Sequence, residues 1–319
     1  MKTVVITGGG RGLGRVTAEK LAAAGCRVIL VARSATPATA AAQEIRRAHT
    51  DAVVEPRWVD LSSQAQIRAF AEAVIRQHEP IDVLFHVAGV MQTSRTRRLS
   101  ADGLEETLAV NVLAPYLLTG LLLPALDQAP SARVVTVSSR LHLPGSRGEP
   151  VDFDFADPQL EHGYNPDRAY KNSKLAVLWF TYELQRRLAS RPITANAVCP
   201  GFVPSTAAAS THGAMHALMT LLMPHMPFAT SVDAATESLV FMALDPSLDG
   251  VGGRSSANAT RSSPAPSPST STEPNASGTS RPTSPASTDS DDSDAGNARP
   301  ASTSTARCPG GRCSGPLSC

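Results

Sequence analysis

The stretch that decides the fold is Thr7-Gly8-Gly9-Gly10-Arg11-Gly12-Leu13-Gly14, which follows an apolar run and precedes a helical pattern that ends at Gly25. Glycine permits positive φ angles and close contact between backbone and ligand, and the N–H groups at a helix N-terminus attract phosphate. A plain turn would also use glycines. The position of the loop after the first strand of an alternating chain favours a dinucleotide pyrophosphate site.

Short β-branched runs alternate with longer helical stretches over residues 1–253. The runs expected to be strands are Thr3–Ile6, Val28–Val31, Val53–Val59, Ile81–Phe85, Arg133–Val137 and Ile193–Val198. They lack polar alternation, which is typical of strands buried on both faces of a parallel sheet. The sequence therefore predicts an α/β fold, a Rossmann-type doubly wound parallel sheet in one domain.

Composition changes beyond residue 253. No aromatic residue occurs after Phe241, and Ser, Thr and Pro make up more than half of residues 255–319. Such a segment cannot bury enough apolar area to offset a chain entropy of roughly 1–2 kcal/mol per residue. We expect residues 254–319 to form a low-complexity, disordered tail.

Charge and apolar runs exclude several classes of partner. Lys and Arg number 29 against 28 Asp and Glu, a formal net charge of +1, which does not favour binding to nucleic acid or to an acidic membrane. The sequence shows no apolar run of the about 18 residues that a membrane span needs, and no signal-peptide layout at its start. We expect a cytoplasmic protein with no membrane span. The cysteines of the tail lack a second pair of ligands, so no metal site is predicted.

The residues after the second strand bear on the choice of dinucleotide. Arg33 stands where an acidic residue would bind the ribose of NAD, and Arg11 is a second cation inside the glycine loop. Guanidinium groups match the geometry of a 2′-phosphate, so NADP(H) is favoured over NAD(H), although either Arg could be a solvated surface charge. Asp60-Leu61 ends the third strand, where Asp60 can bind an adenine amino group or cap a helix that begins near Ser62.

Two neighbouring motifs suggest acid–base chemistry. Tyr170 and Lys174 are one helical turn apart at the start of a helix expected to reach Ser190, and a nearby ammonium favours a phenolate. Ser138 and Ser139 follow a strand at the edge where open α/β sheets bind ligands. One serine can hold a substrate carbonyl and the other can cap the turn. We assign the carbonyl to Ser139 and the cap to Ser138.

Asn111 lies within an apolar helix expected to run from about Asp102 to Leu126. Pro115 has no N–H to bond the carbonyl of Asn111, so that carbonyl is freed and the helix should kink. A freed carbonyl at this position suits an ordered water better than it suits a plain core.

Together these motifs resemble the short-chain dehydrogenase/reductase family over residues 1–253. The resemblance implies the catalytic residues Asn111, Ser139, Tyr170 and Lys174. It implies the cofactor-binding residues Thr7, Gly8, Arg11, Gly12, Leu13, Gly14, Arg33, Asp60, Leu61, Ala88, Gly89, Tyr170, Lys174, Pro200, Gly201, Val203 and Ser205. In this family the Tyr is the acid/base, the Lys lowers its pKa and binds the nicotinamide ribose, and the Asn holds a relay water.

The Asp102-Gly103-Leu104-Glu105 motif and the long gap between Ser139 and Tyr170 look most like the retinol dehydrogenase and WW-domain oxidoreductase branch. That branch often uses NADP(H) and lipophilic alcohols or carbonyls. Family members usually pair through the helices near residues 102–126 and 167–190, so the resemblance allows a homo-oligomer through these helices and leaves the oligomeric state open.

Three positions depart from the family pattern. His86 replaces the first Asn of Asn-Asn-Ala-Gly and is read as a packed histidine, and Ser205 replaces a Thr that meets the nicotinamide carboxamide. The turn at 250–254 is present, but the Ser/Thr/Pro tail replaces the strand that should follow it. We therefore expect the last strand to be missing and the sheet to have an unpaired edge.

The function expected from the sequence is an NADP(H)-dependent oxidoreductase that interconverts a carbonyl and an alcohol on a small molecule. The apolar residues from about Pro204 to Phe228 are expected to form a substrate lid, which favours a lipophilic substrate. The alternative is a dinucleotide-binding sensor or scaffold that keeps the fold without turnover.

Overall fold

The computed structural model describes residues 1–77, 80–143, 151, 153–204, 206 and 217–257. The chain divides into two units, Met1–Ser269 and Thr270–Cys319, and the second lies outside the described residues. The disorder of the tail therefore stays a prediction.

Seven strands form one parallel sheet within the described residues, in the order β3-β2-β1-β4-β5-β6-β7. They are β1 (Thr3–Thr7), β2 (Arg27–Ala32), β3 (Val54–Trp58), β4 (Val83–His86), β5 (Ala132–Val137), β6 (Ile193–Cys199) and β7 (Arg254–Ala257). The order reverses between β1 and β4, which is where a doubly wound sheet opens its ligand crevice. The predicted fold class is confirmed.

Helices cover both faces of the sheet. They are α1 (Gly12–Ala23), α2 (Ala35–Ala48), α3 (Gln64–Arg76), α4 (Glu106–Leu108), α5 (Ala114–Leu126), α6 (Pro166–Arg187) and α7 (Val232–Leu244), with a π-helical segment at Ala109–Leu113. One apolar core joins β-strand side chains to α1, α2 and α7, and a second joins the opposite face to α3 and α5. The strands β1 and β4 are buried throughout, as expected for the centre of such a sheet.

The expectation that the last strand is missing is wrong. Arg254–Ala257 pairs in parallel with β6, from Asn196↔Arg254 to Cys199↔Ala257. The side chain of Asn196 fixes this register, because its Nδ2 donates to the carbonyl of Val251 at 2.7 Å and its Oδ1 accepts the N–H of Arg254 at 3.1 Å. Four residues assigned to the tail thus belong to the sheet, and the edge of β6 is paired.

Within the described residues, one helical stretch, Glu106–Leu126, is long and apolar enough by length and composition to cross a membrane, whereas the sequence was expected to contain no apolar run of that length. Half of it is buried, and Leu118 and Leu122 of α5 lie in the apolar core against the sheet. Core helices of this kind pass the same test of length and composition, and in this fold the segment packs as one.

Candidate active site

The glycine loop between β1 and α1 leaves backbone open to a ligand. A Cβ added to Gly14 would lie 2.2 Å from the carbonyl oxygen of Gly8, and one added to Gly8, at φ +75°, would lie 2.9 Å from the backbone of Ala88. Beside Gly12, at φ +55°, the nearest atom to an added Cβ is Thr206 Oγ1 at 3.9 Å. Protein atoms therefore fill the space beside Gly8 and Gly14, whereas the space beside Gly12, at the N-terminus of α1, is open. This arrangement fits a pyrophosphate.

Three of the predicted cofactor residues support this loop. The hydroxyl of Thr7 donates to the carbonyl of Phe85 at 3.2 Å and accepts the N–H of Ala88 at 3.3 Å, which ties β1 to the end of β4. Leu13 is buried in the core beneath α1. These side chains hold the loop in place and do not face a ligand.

The groups at the ends of β2 and β3 lie close together. Arg33 Nε is 3.8 Å from Asp60 Oδ2, and the side chain of Arg33 is 71% exposed. Asp60 Oδ1 accepts the N–H and hydroxyl of Ser62, whereas α3 is capped by Ser63, so Asp60 shapes the turn and does not cap the helix. Burial would raise the pKa of Asp60, but the Ser62 hydrogen bonds and the Arg33 charge bring it below its ordinary value.

Arg11 precedes α1 with an extended backbone and an exposed side chain, and Leu61 follows Asp60. Leu61 borders a surface groove of about 220 Å³ between the N-terminal ends of α3 and α5. None of the four predicted catalytic residues lines that groove, so it is separate from the catalytic centre.

Asn111 lies in the π-helical segment that replaces the expected simple kink. Its Oδ1 accepts the N–H of Val90 at 2.8 Å, and its Nδ2 donates to the carbonyl of Val90 at 2.9 Å and to Ser173 Oγ at 3.0 Å. The widened turn follows from Pro115, which cannot donate to the carbonyl of Asn111. The helical stretch begins at Glu106 rather than near Asp102.

The capping role that was expected for Ser138 belongs to Ser139. Ser138 Oγ is buried and donates to the carbonyl of Lys174 at 3.3 Å, so it is not the residue that caps the turn. Ser139 Oγ accepts the N–H of Leu141 and also bonds Tyr170. Adjacent residues point to opposite sides of an extended chain, and here Ser139 is on the side of the tyrosine.

Tyr170 and Lys174 lie on one face of α6, as their spacing predicts. Lys174 Nζ donates to the carbonyl of Val137 at 2.9 Å and lies 5.5 Å from the centroid of the Tyr170 ring. Burial lowers the pKa of Lys174 to about 8. Burial raises the pKa of Tyr170, whereas the sequence predicted that Lys174 would lower it. The expected lowering is absent because the ammonium lies over the Tyr170 ring and bonds Val137 rather than the hydroxyl.

These groups meet at Gly89. A Cβ added to Gly89 would lie 3.4 Å from Asn111 Oδ1 and 3.5 Å from Lys174 Nζ. The described residues thus bring Asn111, Ser139, Tyr170 and Lys174 together at the carboxyl ends of β4 and β5.

The segment after β6 lies next to the glycine loop, since Thr206 is the nearest residue to a Cβ added to Gly12. Pro200 is buried, Gly201 has a φ of +82°, and the carbonyl of Val203 accepts the N–H of Thr206 at 3.1 Å. The predicted contact at Ser205 lies outside the described residues, as do residues 207–216 of the predicted lid.

Comparison with known proteins agrees with this arrangement. A family model described as short chain dehydrogenase matches residues 2–151. Human retinol dehydrogenase 13 is 35% identical over 255 residues, which cover 79% of this chain and 75% of the relative. This chain belongs to the short-chain dehydrogenase family.

Other relatives place the chain near the retinol dehydrogenase branch. Human retinol dehydrogenase 12 is 37% identical over 253 residues, covering 79% of this chain and 76% of the relative. Among solved structures, a protein from Beutenbergia cavernae described as an NAD(P)-dependent gluconate 5-dehydrogenase with bound NADP has a TM-score of 0.62 and 28% identity, covering 81% of this chain and 94% of that one. As a member of this family, the chain is an oxidoreductase acting on an alcohol or carbonyl group.

Two groups in this short-chain dehydrogenase's site were not singled out from the sequence. Ser173 bonds both Asn111 and the carbonyl of Tyr170, and its place directly before Lys174 was a usable signal. Cys199, buried at the end of β6, interacts electrostatically with Tyr170 and Lys174. Its contact comes from strand order, which local sequence does not show.

His86 is a packed histidine, as predicted. It is 2% exposed, and its Nε2 lies 2.8 Å from the hydroxyl of Thr119 on α5. Burial lowers its pKa from 6.5 to about 3. The imidazole therefore joins β4 to α5 in its neutral form.

His86→Asn is expected to flatten the acid side of the stability profile of this dehydrogenase. Between the unfolded pKa of 6.5 and the folded pKa of about 3, His86 binds a proton in the unfolded chain but not in the folded protein. The free energy of unfolding therefore falls as the pH falls through this range. The slope is about 1.4 kcal/mol per pH unit. Urea unfolding at several pH values checks it. If the free energy of unfolding fell with the same slope against pH in wild type and variant, this account would be contradicted.

Proposed function

We propose that this protein is an NADP(H)-dependent oxidoreductase that interconverts a carbonyl and an alcohol on a lipophilic small molecule. The observation that carries the proposal is the meeting of Asn111, Ser139, Tyr170 and Lys174 beside the open glycine loop. A nicotinamide ring bound there supplies or accepts the hydride.

The chain's own groups move the proton. Tyr170 gives a proton to the carbonyl oxygen in reduction and takes one from the alcohol in oxidation, while Ser139, which bonds Tyr170, orients that oxygen. Lys174 binds the ribose and carries a positive charge at neutral pH, since its pKa is about 8. The side chain of Asn111 is already engaged with Val90 and Ser173, so its backbone carbonyl is the group left to hold a relay water.

Two cations support the preference for NADP(H). Arg33 and Arg11 both lie at the adenosine end of the loop and are exposed, and the partner of Arg33, Asp60, is only weakly paired at 3.8 Å. A 2′-phosphate can recruit both guanidinium groups. The structure from Beutenbergia cavernae that resembles this chain holds NADP, which agrees with the proposal.

Arg33→Ala is expected to raise the KM for NADPH by roughly 10-fold or more and to leave the KM for NADH within about two-fold, because one charge-assisted hydrogen bond is lost. Arg76→Ala, which removes an exposed, ion-paired cation from α3, is the control. Equal changes for the two dinucleotides in Arg33→Ala would contradict the assignment.

Apolar side chains favour a lipophilic substrate. In the described part of the lid, Leu221 is 71% and Phe228 is 61% exposed. The relatives named retinol dehydrogenases point to the same class of alcohol and aldehyde.

The test is NADPH oxidation followed at 340 nm over a panel of long-chain, aromatic and retinoid aldehydes and of sugar carbonyls. We expect turnover with the apolar members and little with the sugars. NADPH binding without turnover of any carbonyl would instead favour the sensor or scaffold alternative.

A further inference from the structure

Glu105 is a buried carboxylate that the proposed chemistry does not use. It is 2% exposed and stands directly before α4, where Oε1 accepts the N–H of Thr107 at 3.0 Å and Oε2 accepts the N–H of Leu108 at 2.7 Å. A carboxylate at this position caps the first turn and interacts favourably with the helix dipole. The capped turn leads directly into the π-helical segment that carries Asn111.

The same carboxylate has a partner 59 residues away in the chain. The hydroxyl of Tyr164 donates to Glu105 Oε1 at 3.3 Å. Burial and the charge of Glu105 raise the pKa of Tyr164, so the phenol stays protonated and donates at neutral pH. Glu105 therefore contacts the segment that leads into α6.

Tyr164 stands at the start of the catalytic helix. Asn165, the next residue, caps α6 by accepting the N–H groups of Asp167 at 2.9 Å and Arg168 at 3.1 Å. Tyr170 follows within the second turn of this helix. Glu105 thus connects the first helical turn before Asn111 to Tyr164, which directly precedes the capping residue of α6.

A second contact anchors the same segment. The N–H of Glu105 donates to Gln159 Oε1 at 3.1 Å, and the carbonyl of Gln159 accepts Arg97 Nε at 2.9 Å. Further into the site, Asn111 Nδ2 bonds Ser173 Oγ on α6. The helical segment that carries Asn111 and helix α6 are therefore joined in two places, near their N-terminal ends by Glu105 and within the site by Asn111.

We propose that Glu105 and Tyr164 are positioning residues that fix the distance between the Asn111 carbonyl and the Tyr170 hydroxyl. This inference rests on the proposed function. Neither residue touches the proposed position of the substrate. Loss of the Tyr164 hydroxyl leaves the buried Glu105 carboxylate with one fewer hydrogen-bond donor and releases the N-terminal end of α6. The groups of the proton relay then lose their alignment, whereas the dinucleotide site changes less.

The test compares Tyr164→Phe with wild type on the best aldehyde of the panel. We expect kcat to fall roughly 10-fold, with the KM for NADPH within about two-fold, since the hydrogen bond lost is one to a charged group. The solvent deuterium isotope effect on kcat should increase, because proton transfer becomes slower. Tyr182→Phe is the control, since Tyr182 is an exposed tyrosine further along α6.

A conservative pair of variants separates positioning from folding. Glu105→Gln keeps an acceptor oxygen and should recover most of the kcat that Glu105→Ala loses, and adding Tyr164→Phe to Glu105→Ala should cause little further loss. A Tyr164→Phe protein with wild-type kcat and isotope effect overturns the inference while leaving the proposed function standing. A fall in NADPH affinity equal to the fall in kcat also overturns it, as a general structural effect. No turnover by wild-type protein overturns the inference and the proposed function together.

Discussion

Tyr170→Phe should lower kcat by about 100-fold to 10,000-fold, the usual contribution of a positioned acid or base. The variant removes only the hydroxyl that bonds Ser139, and it keeps the ring over which Lys174 lies at 5.5 Å. Binding of NADPH should therefore change by no more than about two-fold, since the loss is confined to the transition state. Steady-state kinetics and a binding titration of the same preparation measure both quantities.

Tyr182→Phe is again the matched control, and it should retain wild-type kcat. If Tyr170→Phe keeps more than about a tenth of wild-type kcat, Tyr170 is not the proton donor, because that loss is smaller than the contribution of a general acid. The proposed chemistry would then have to be abandoned even if NADPH binds.

Gly14→Ala has the second large expected effect, which concerns dinucleotide binding. Its Cβ would lie 2.2 Å from the carbonyl oxygen of Gly8, so the loop backbone must move. Such overpacking costs about 1–3 kcal/mol. Because the displaced atoms belong to the glycine loop, we expect the Kd for NADPH to rise at least about 10-fold, measured by calorimetric titration.

Gly120→Ala is the control for the glycine substitution. Gly120 lies in α5, and an added Cβ has no neighbour within 4 Å among the described residues. Alanine in a helix interior is more favourable than glycine by about 1 kcal/mol, so this variant should be slightly more stable and bind NADPH normally. Equal affinities for NADPH in the two variants would contradict the role given to the loop.

The centre of the fold could be predicted because its signals are local. β1, the glycine loop and α1 are adjacent in sequence, and the apolar runs of β4 and β5 are long enough to show burial on both faces. The edge strand β7 could not be predicted, since Arg-Ser-Ser-Ala contains no β-branched or aromatic residue. It forms because β6, a distant part of the chain, supplies its partners: Asn196 Oδ1 accepts the N–H of Arg254, and the carbonyl of Ala195 accepts the N–H of Gly253, directly before β7.

The site shows the same division. The spacing of Tyr170 and Lys174 on one helix face was readable, and so was the effect of Pro115 on the turn that carries Asn111. The residue that caps the turn after β5 and the direction of the Tyr170 pKa shift could not be predicted, because both depend on which groups surround the side chains after folding. The role of Glu105 depends on Tyr164, whose distance in sequence hides the contact.

The central claim is that a nicotinamide dinucleotide binds beside Tyr170, with its pyrophosphate at the glycine loop. Calorimetric titration of the folded wild-type protein with NADPH, and separately with NADH, tests it most directly. We expect saturable binding of one NADPH per chain, at least about 10-fold tighter than NADH. Absence of binding by either dinucleotide, in protein that unfolds cooperatively on heating, would contradict the account.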